Sequence, residues 1–263
     1  TRTPSIFEEK LSRREKAYIV ELDPPFSEDA SKVMKGAEDL RKCNVDLITL
    51  SDSPMARARM DAGQLAVKIQ QKTSVAVMPH ISCRDRNVIA LRAGLLGMHM
   101  NDVRHFLIVT GDPVSRADRE RVTSVFDFNS IKLMQYVKEM NLEVFAQEPV
   151  YYGGALNYHG VNPDAIIERM KRKTEAGCGY FLTQPVYTEE DVERLTYIKE
   201  RIDTKIMCGI MPLVSYKNAM FVKNEMPGIH VSDEIVSRYR EDMTREEAEE
   251  VAIELSVEIA AKL

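Results

Sequence analysis

Seven times along the chain a short apolar run gives way to a helical pattern, and few folds accept that order. The runs are AYIVEL, VDLITL, SVAVMPHIS, RHFLIVT, VYYGGALN, GYFLTQPV and KIMCGIMPLV. They are rich in β-branched and large apolar residues and lack strict alternation, which predicts parallel strands covered by helices. Pro185 and Pro212 fall only near the ends of the last two runs, where a ladder is stopping. Between the runs, SEDASKVMKGAEDLRKC places Ala30, Val33, Met34, Ala37 and Leu40 on one helical face. NPDAIIERMKRKTEAG carries Pro163 near a helix start and Gly177 at its end. TEEDVERLTYIKERI opens on a threonine cap followed by acids in the first turn.

Strand and helix alternating without a long polar linker predict one α/β domain. Seven such units suit a TIM barrel better than an open Rossmann sheet, because no GxGxxG follows the first run. The expected fold is therefore a (β/α)8 TIM barrel whose eighth strand is missing, since the chain stops after the helical TREEAEEVAIELSVEIAAKL. Residues 1–263 are read as a single domain. With Thr1 rather than Met as its first residue, the chain is expected to be a piece of a longer protein.

In such a barrel the site belongs at the C-terminal ends of the strands. Those ends carry Glu21, Asp23, Ser51, Asp52, His80, Asp112, Asn157, Gln184 and Ser215. Glu21, in VELDPP, is either a general acid or base or a partner for a neighbouring cation, at even odds. A lone histidine such as His80 is more often a hydrogen-bonded core residue than a catalyst. Arg84 and Arg86 are a solvated helix start or a pair suited to an anionic ligand. Asp112 follows Gly111, which lets backbone approach a ligand, and precedes Pro113, which fixes the turn. A helix cap is the plain alternative for Asp112. Against it, helical patterning resumes only after PVSRADRERVTSVFDFNS, and long loops at this face usually have a function. Gln184 offers an amide that reads a heterocycle edge or bridges two strands. Arg169, Arg172 and Lys173 share a side of one helix. Alone they are a solvated face; beside converging polar groups they are a candidate pyrophosphate clamp.

Other classes are disfavoured. With 36 Lys and Arg against 41 Asp and Glu, the formal charge of −5 argues against general nucleic-acid binding. Cys43, Cys83, Cys178 and Cys208 show no CxxC or Cys/His cluster, so no disulfide scaffold or zinc site is expected and a cytoplasmic location is the default. No run suits a membrane span, and no signal peptide opens the chain. Metal-ligand spacing, a Walker loop and a nucleophile elbow are all missing, so no metal is expected. Redox work would need a bound cofactor.

VELDPP, PHISC, GDP, LTQPVY and GIMPLVS, in this order on successive strand ends, resemble the methylenetetrahydrofolate reductase family. The wording HISCRDRN, TGDP and TQPVYTEEDV is most similar to the reductase half of bifunctional homocysteine methyltransferase/reductase proteins. The resemblance implies a flavoprotein barrel with FAD across its C-terminal mouth, reducing 5,10-methylenetetrahydrofolate to 5-methyltetrahydrofolate with NADH or NADPH. By that likeness Glu21 is the acid that opens the folate's imidazolidine ring, and Asp112 hydrogen-bonds the pterin near the flavin. Gln184 contacts folate and nicotinamide, with Asn218 and Val222 at further substrate positions. Ser51, His80, Gly111, Asp112, Phe126, Asp127, Arg169, Arg172 and Lys173 fall on or near FAD-contacting positions.

Departures from the family pattern leave the donor open. Thr110 stands where many members have arginine, with Arg84 or Arg86 as candidate replacements. Asn218 and Val222 replace glutamine and phenylalanine at the nicotinamide position. Two alternatives follow: the same reduction with electrons from a partner protein, or a non-catalytic flavin- or folate-binding module serving a methyltransferase. The expected partners are a folate and a fused or associated homocysteine methyltransferase module, with no nucleic acid or membrane and with a homo-oligomer left open.

Overall fold

A computed structural model describes residues 3–159, 162–226 and 228–263. The chain forms two compact units, one of residues 1–154 with 175–179 and one of residues 155–174 with 180–263.

The first unit begins with a helix that the strand and helix patterns above do not predict, α1 (Ile6–Arg13). Ser5 and Glu8 close a capping box at its start, and Phe7, fully buried, meets the ring of His105 edge-on at 5.3 Å. Then come β1 (Ile19–Leu22), α2 (Ser31–Lys42), β2 (Leu47–Leu50), α3 (Ala62–Thr73), β3 (Val77–Ser82) and α4 (Val88–Met100). β4 (His105–Val109), α5 (Ser130–Leu142) and the start of β5 (Tyr151–Leu156) complete the unit.

Its strands pair in parallel in chain order, with Glu21 beside Thr49, Leu50 beside Pro79, Ser82 beside Val109 and Ile108 beside Gly154. That register brings the polar strand ends level. Leu47, Ile48, Leu50, Val77, Met78 and Phe106 are wholly buried, as strands covered on both faces require. Asp61, Asn87 and Asn129 each accept a backbone N–H from the first turn of α3, α4 and α5. The 3-10 turn Pro54–Ala56 between β2 and α3 is strained, with Ser53, Met55 and Ala56 all in the left-handed region.

In the second unit, α6 (Pro163–Glu175) starts on Pro163 as expected and buries Ile167, Met170 and Lys173. β6 (Phe181–Pro185) pairs in parallel with β7 (Ile206–Gly209), with a register shift between Leu182 and Pro185. At the shift the Gly209 N–H donates to Thr183 Oγ1 at 2.8 Å, and a Cβ on Gly209 would lie 2.9 Å from the Thr183 carbonyl. α7 (Glu189–Lys199) has a capping box of Thr188 and Asp191. α8 (Tyr216–Glu225), α9 (Asp233–Ser237) and α10 (Arg245–Lys262) follow β7, so among the described residues the chain has seven strands and no eighth. No helix among these residues is long and apolar enough to cross a membrane.

Candidate functional site

The strand ends of the first unit form a connected polar set. Glu21, at the end of β1, has its carboxyl pushed up from 4.5 to about 7, first by lost hydration and then by repulsion from Asp23. About half of its side chain (52 %) remains open to solvent, so the carboxyl is crowded rather than sealed. Asp23 is drawn aside by the hydroxyl of buried Ser51, which donates to Asp23 Oδ1 at 2.5 Å.

His80 presents Nε2 to Thr49 Oγ1 at 2.9 Å and lies 3.8 Å from Glu21 Oε2. Thr49 donates its own proton to the Met78 carbonyl at 2.8 Å, so it accepts from His80, which fixes the Nε2–H tautomer. Burial pushes His80 down to about 4, against the pull of Asp52 and Asp23. The ring is therefore a neutral donor at neutral pH. It is the hydrogen-bonded strand residue of the plainer reading, and it also stands beside the candidate acid.

A second group lies at the ends of β3 and β4. The Ser82 N–H and Arg86 both donate to Asp52 Oδ2, at 2.9 and 2.7 Å, and Arg86 also reaches Asp61 at 3.3 Å. Arg84 is buried; it grips Asp85 with two bonds of 2.7 and 2.8 Å and donates to the carbonyls of Asp112 and Ser53. Both arginines are thus engaged by carboxylates, and Arg84 is buried rather than part of a solvated helix start. The Thr110 hydroxyl accepts the N–H of Ser130 at the start of α5.

Asp112 is no helix cap, because α5 begins at Ser130 and is capped by Asn129. Its Oδ2 accepts the N–H of Met55 at 2.6 Å and so braces the strained turn after β2. Gly111 before it has φ +98°, and a Cβ there would run into Ser82 Oγ and Arg84 Cβ. Asp112 itself stays exposed. Phe126, at φ 45° and 39 % exposed, and Asp127, whose Oδ2 accepts the Val88 N–H, sit at the far end of the long loop.

The sequence-predicted residues of the second unit fall into different environments. Of the helical trio, Arg169 and Arg172 are exposed, whereas Lys173 is buried and donates to the Ala155 carbonyl at 3.0 Å. The trio therefore does not present one continuous basic face. Gln184 is half-buried on β6. Asn218 accepts the Val214 N–H at 3.1 Å, and Val222 is 1 % exposed, a packing residue of α8. A planar ring can stack on Val222 only if its neighbours move.

Thr49 and Met55 were not among the candidates, and Asp52 was noted only as a polar strand end without a role. Thr49 sits inside an apolar strand and Met55 takes part through its backbone, so neither carries a sequence signal. Asp52 does, as a second polar residue directly after Ser51. The unit 1 set as a whole offers an acid held near neutral pH, a neutral imidazole donor, and backbone cleared of Cβ at Gly111. Those features suit a flat, polar-edged cofactor and a substrate that must receive a proton.

Comparison with known proteins follows the same line. The family model described as methylenetetrahydrofolate reductase matches residues 6–263. A 5,10-methylenetetrahydrofolate reductase of Buchnera aphidicola is 20% identical over 200 residues, 75% of this chain and 65% of that protein. The Escherichia coli 5,10-methylenetetrahydrofolate reductase is 26% identical over 157 residues, 57% of this chain and 49% of that protein. The chain thus spans between about half and two thirds of these relatives. Among solved structures, a Clostridium thermocellum protein said to bind two copies of 5-methyl-5,6,7,8-tetrahydrofolic acid has a TM-score of 0.65 at 15% identity, covering 98% of this chain and 87% of that one. A 2,3-dimethylmalate lyase of the PEP mutase/isocitrate lyase superfamily has a TM-score of 0.55 at 11% identity, covering 94% and 76%. These likenesses show the fold, an α/β TIM-barrel type.

Proposed function

The chain belongs to the methylenetetrahydrofolate reductase family, and from that membership we infer that it reduces 5,10-methylenetetrahydrofolate to 5-methyltetrahydrofolate, with FAD as resident cofactor and NADH or NADPH as donor. The observation that carries this reading is Glu21, an acid raised to about 7 at the mouth of β1. Opening the imidazolidine ring requires a proton at a ring nitrogen, and an ordinary carboxyl is ionised at neutral pH. Lost hydration keeps a useful fraction of Glu21 protonated there, and close to the working pH it transfers a proton most effectively.

FAD bound at this face would supply the two-electron chemistry that no side chain here provides. Gly111 and Phe126 shape backbone for it, and neutral His80 adds no positive charge beside it. On α6 of the second unit, exposed Arg172 remains available to an anionic group, whereas buried Lys173 is held by the Ala155 carbonyl. Asp112, exposed just past the end of β4, would contact the pterin through Oδ1 while its Oδ2 accepts the Met55 N–H. Gln184 would contact the folate.

One observation favours a second reading, in which a partner protein rather than a nicotinamide supplies electrons. Val222 is buried and Asn218 accepts the Val214 N–H, so the residues the family likeness assigns to nicotinamide offer little exposed surface for stacking. The experiment is to purify the full protein, measure its flavin, and mix it anaerobically with NADH and with NADPH. Bleaching by either supports the nicotinamide route. A yellow protein that neither bleaches, but that methylenetetrahydrofolate reoxidises after chemical reduction, supports the partner route. A chain that binds no flavin removes both.

A further inference from the structure

His159, just after β5, Asp191, in the first turn of α7, and His230, between α8 and α9, converge within the second unit. Their candidate ligand atoms lie within 4.8 Å of one another. His159 Nε2 and Asp191 Oδ1 are 3.0 Å apart, within ion-pair reach but off hydrogen-bond alignment, and both atoms are buried, with Tyr158 also bearing on Asp191. Asp191 is fully buried. Its other oxygen accepts the N–H groups of Tyr187 and Thr188 at 2.9 and 3.1 Å, which turns Oδ1 toward the histidines. The rings of His159 and His230 lie 4.0 Å apart at 34°, and Tyr158 packs 4.3 Å from His159 on its own side.

A fully buried carboxylate oxygen held only by poorly aligned neighbours is costly, and a cation is a common remedy. We propose that His159, Asp191 and His230 bind one divalent transition-metal ion of the zinc class. Two imidazoles and one carboxylate are borderline ligands that suit zinc, cobalt or nickel, whereas magnesium and calcium take oxygen. Bonds of about 2.0–2.2 Å place ligand atoms on a tetrahedral ion roughly 3.4 Å apart. The His159–Asp191 pair already has nearly that spacing, and a ligand atom of exposed His230 lies within 4.8 Å of both.

The backbone donors on Asp191 Oδ2 act as the outer support that metal-bound carboxylates commonly have. Arg194 opposes a cation at this spot and Glu190 favours one. The ion would tie the loop after β5, the start of α7 and the segment ahead of α9 together, leaving a fourth coordination position for water. The ligands come from three separate segments, which is why spacing along the sequence gave no metal signal.

The test uses the full chain stripped with a chelator and then titrated with Zn2+ or Co2+. Expected are one Zn2+ per chain, a saturable rise in Tm, and weak visible bands with Co2+ without a thiolate charge-transfer band. His230→Gln should bind Zn2+ at least tenfold more weakly. His230 is the position to change because it is exposed, whereas Asp191 also caps α7. No rise in Tm and no Co2+ absorbance in the unaltered chain overturn the proposal. So does unchanged affinity in His230→Gln, or a thiolate band, which would put the ion on a cysteine.

Discussion

Replacing Glu21 with glutamine isolates the electrostatics on which the proposed chemistry depends. The substitution keeps the size and hydrogen-bonding capacity of the side chain and removes its ionisation. The folded-state pKa, about 7, lies above the ordinary 4.5, so the folded chain holds this proton more tightly than the unfolded chain does. Below about pH 4.5 the carboxyl is protonated in both states and its burial carries little penalty. As pH rises from 4.5 to 7 the unfolded chain gives up the proton first, and stability falls. Above 7 the group is charged in both states and the loss is complete.

The difference between 4.5 and about 7 would correspond to roughly 3 kcal/mol. Half of the Glu21 side chain reaches solvent, which screens the charge and brings the expected effect to about 1 kcal/mol. Glu21→Gln should therefore raise the Tm by about 2–4 °C at pH 8 and leave it nearly unchanged at pH 4.5. Differential scanning calorimetry of both proteins at pH 4.5, 6 and 8, at one ionic strength, measures this. Equal shifts at pH 4.5 and 8, or a less stable variant at pH 8, would refute the reasoning and return Glu21 to an ordinary solvated or paired carboxylate.

Three further outcomes follow from the same geometry. Gly111→Ala places a side chain at φ +98° against Ser82 and should cost about 1–3 kcal/mol, read as a lower denaturant midpoint with an unchanged slope. Asp112→Asn keeps an acceptor for the Met55 N–H, so stability should hold within about 0.5 kcal/mol, while the midpoint potential of bound flavin rises by tens of millivolts; an unmoved potential in a redox titration removes Asp112 from the cofactor's surroundings. Arg172→Ala with Lys173→Met should lower flavin retention after dialysis, and retention equal to the parent protein would leave this helix a packing and solvent-facing element only.

The fold was legible because every buried strand carries its own apolar run and most helices carry their caps. α1 escaped notice because its one fully buried residue, Phe7, makes no periodic stripe, and only the contact with His105 explains it. The strands are shorter than the runs that announced them: KIMCGIMPLV supplies only Ile206–Gly209, since the chain past Gly209 runs toward Pro212. Within the site, Glu21, His80 and Asp112 were visible as polar residues where apolar runs end. Their states were not. Whether Glu21 is raised depends on burial and on Asp23, and the His80 tautomer depends on Thr49, a residue of the neighbouring strand. Likewise, the arginines at 84 and 86 read as spare charge until Asp85, Asp52 and Asp61 are placed around them. Helical spacing put Lys173 with Arg169 and Arg172, but burial separates it.

The central claim is that Glu21 protonates the folate and does nothing for flavin reduction, so separating the two half-reactions tests it most directly. The full protein and its Glu21→Gln variant are reduced chemically under anaerobic conditions and mixed with 5,10-methylenetetrahydrofolate in a stopped-flow instrument, while reduction of the oxidised forms is timed separately with whichever donor proves active. The account predicts that the unaltered protein's flavin is reoxidised at a rate that declines as pH rises through about 7, following the Glu21 carboxyl. It predicts that Glu21→Gln is slower in this step by roughly a hundredfold or more, with reduction by the donor unchanged. Equal loss in both half-reactions, or reoxidation by folate as fast in the variant as in the parent, would contradict it.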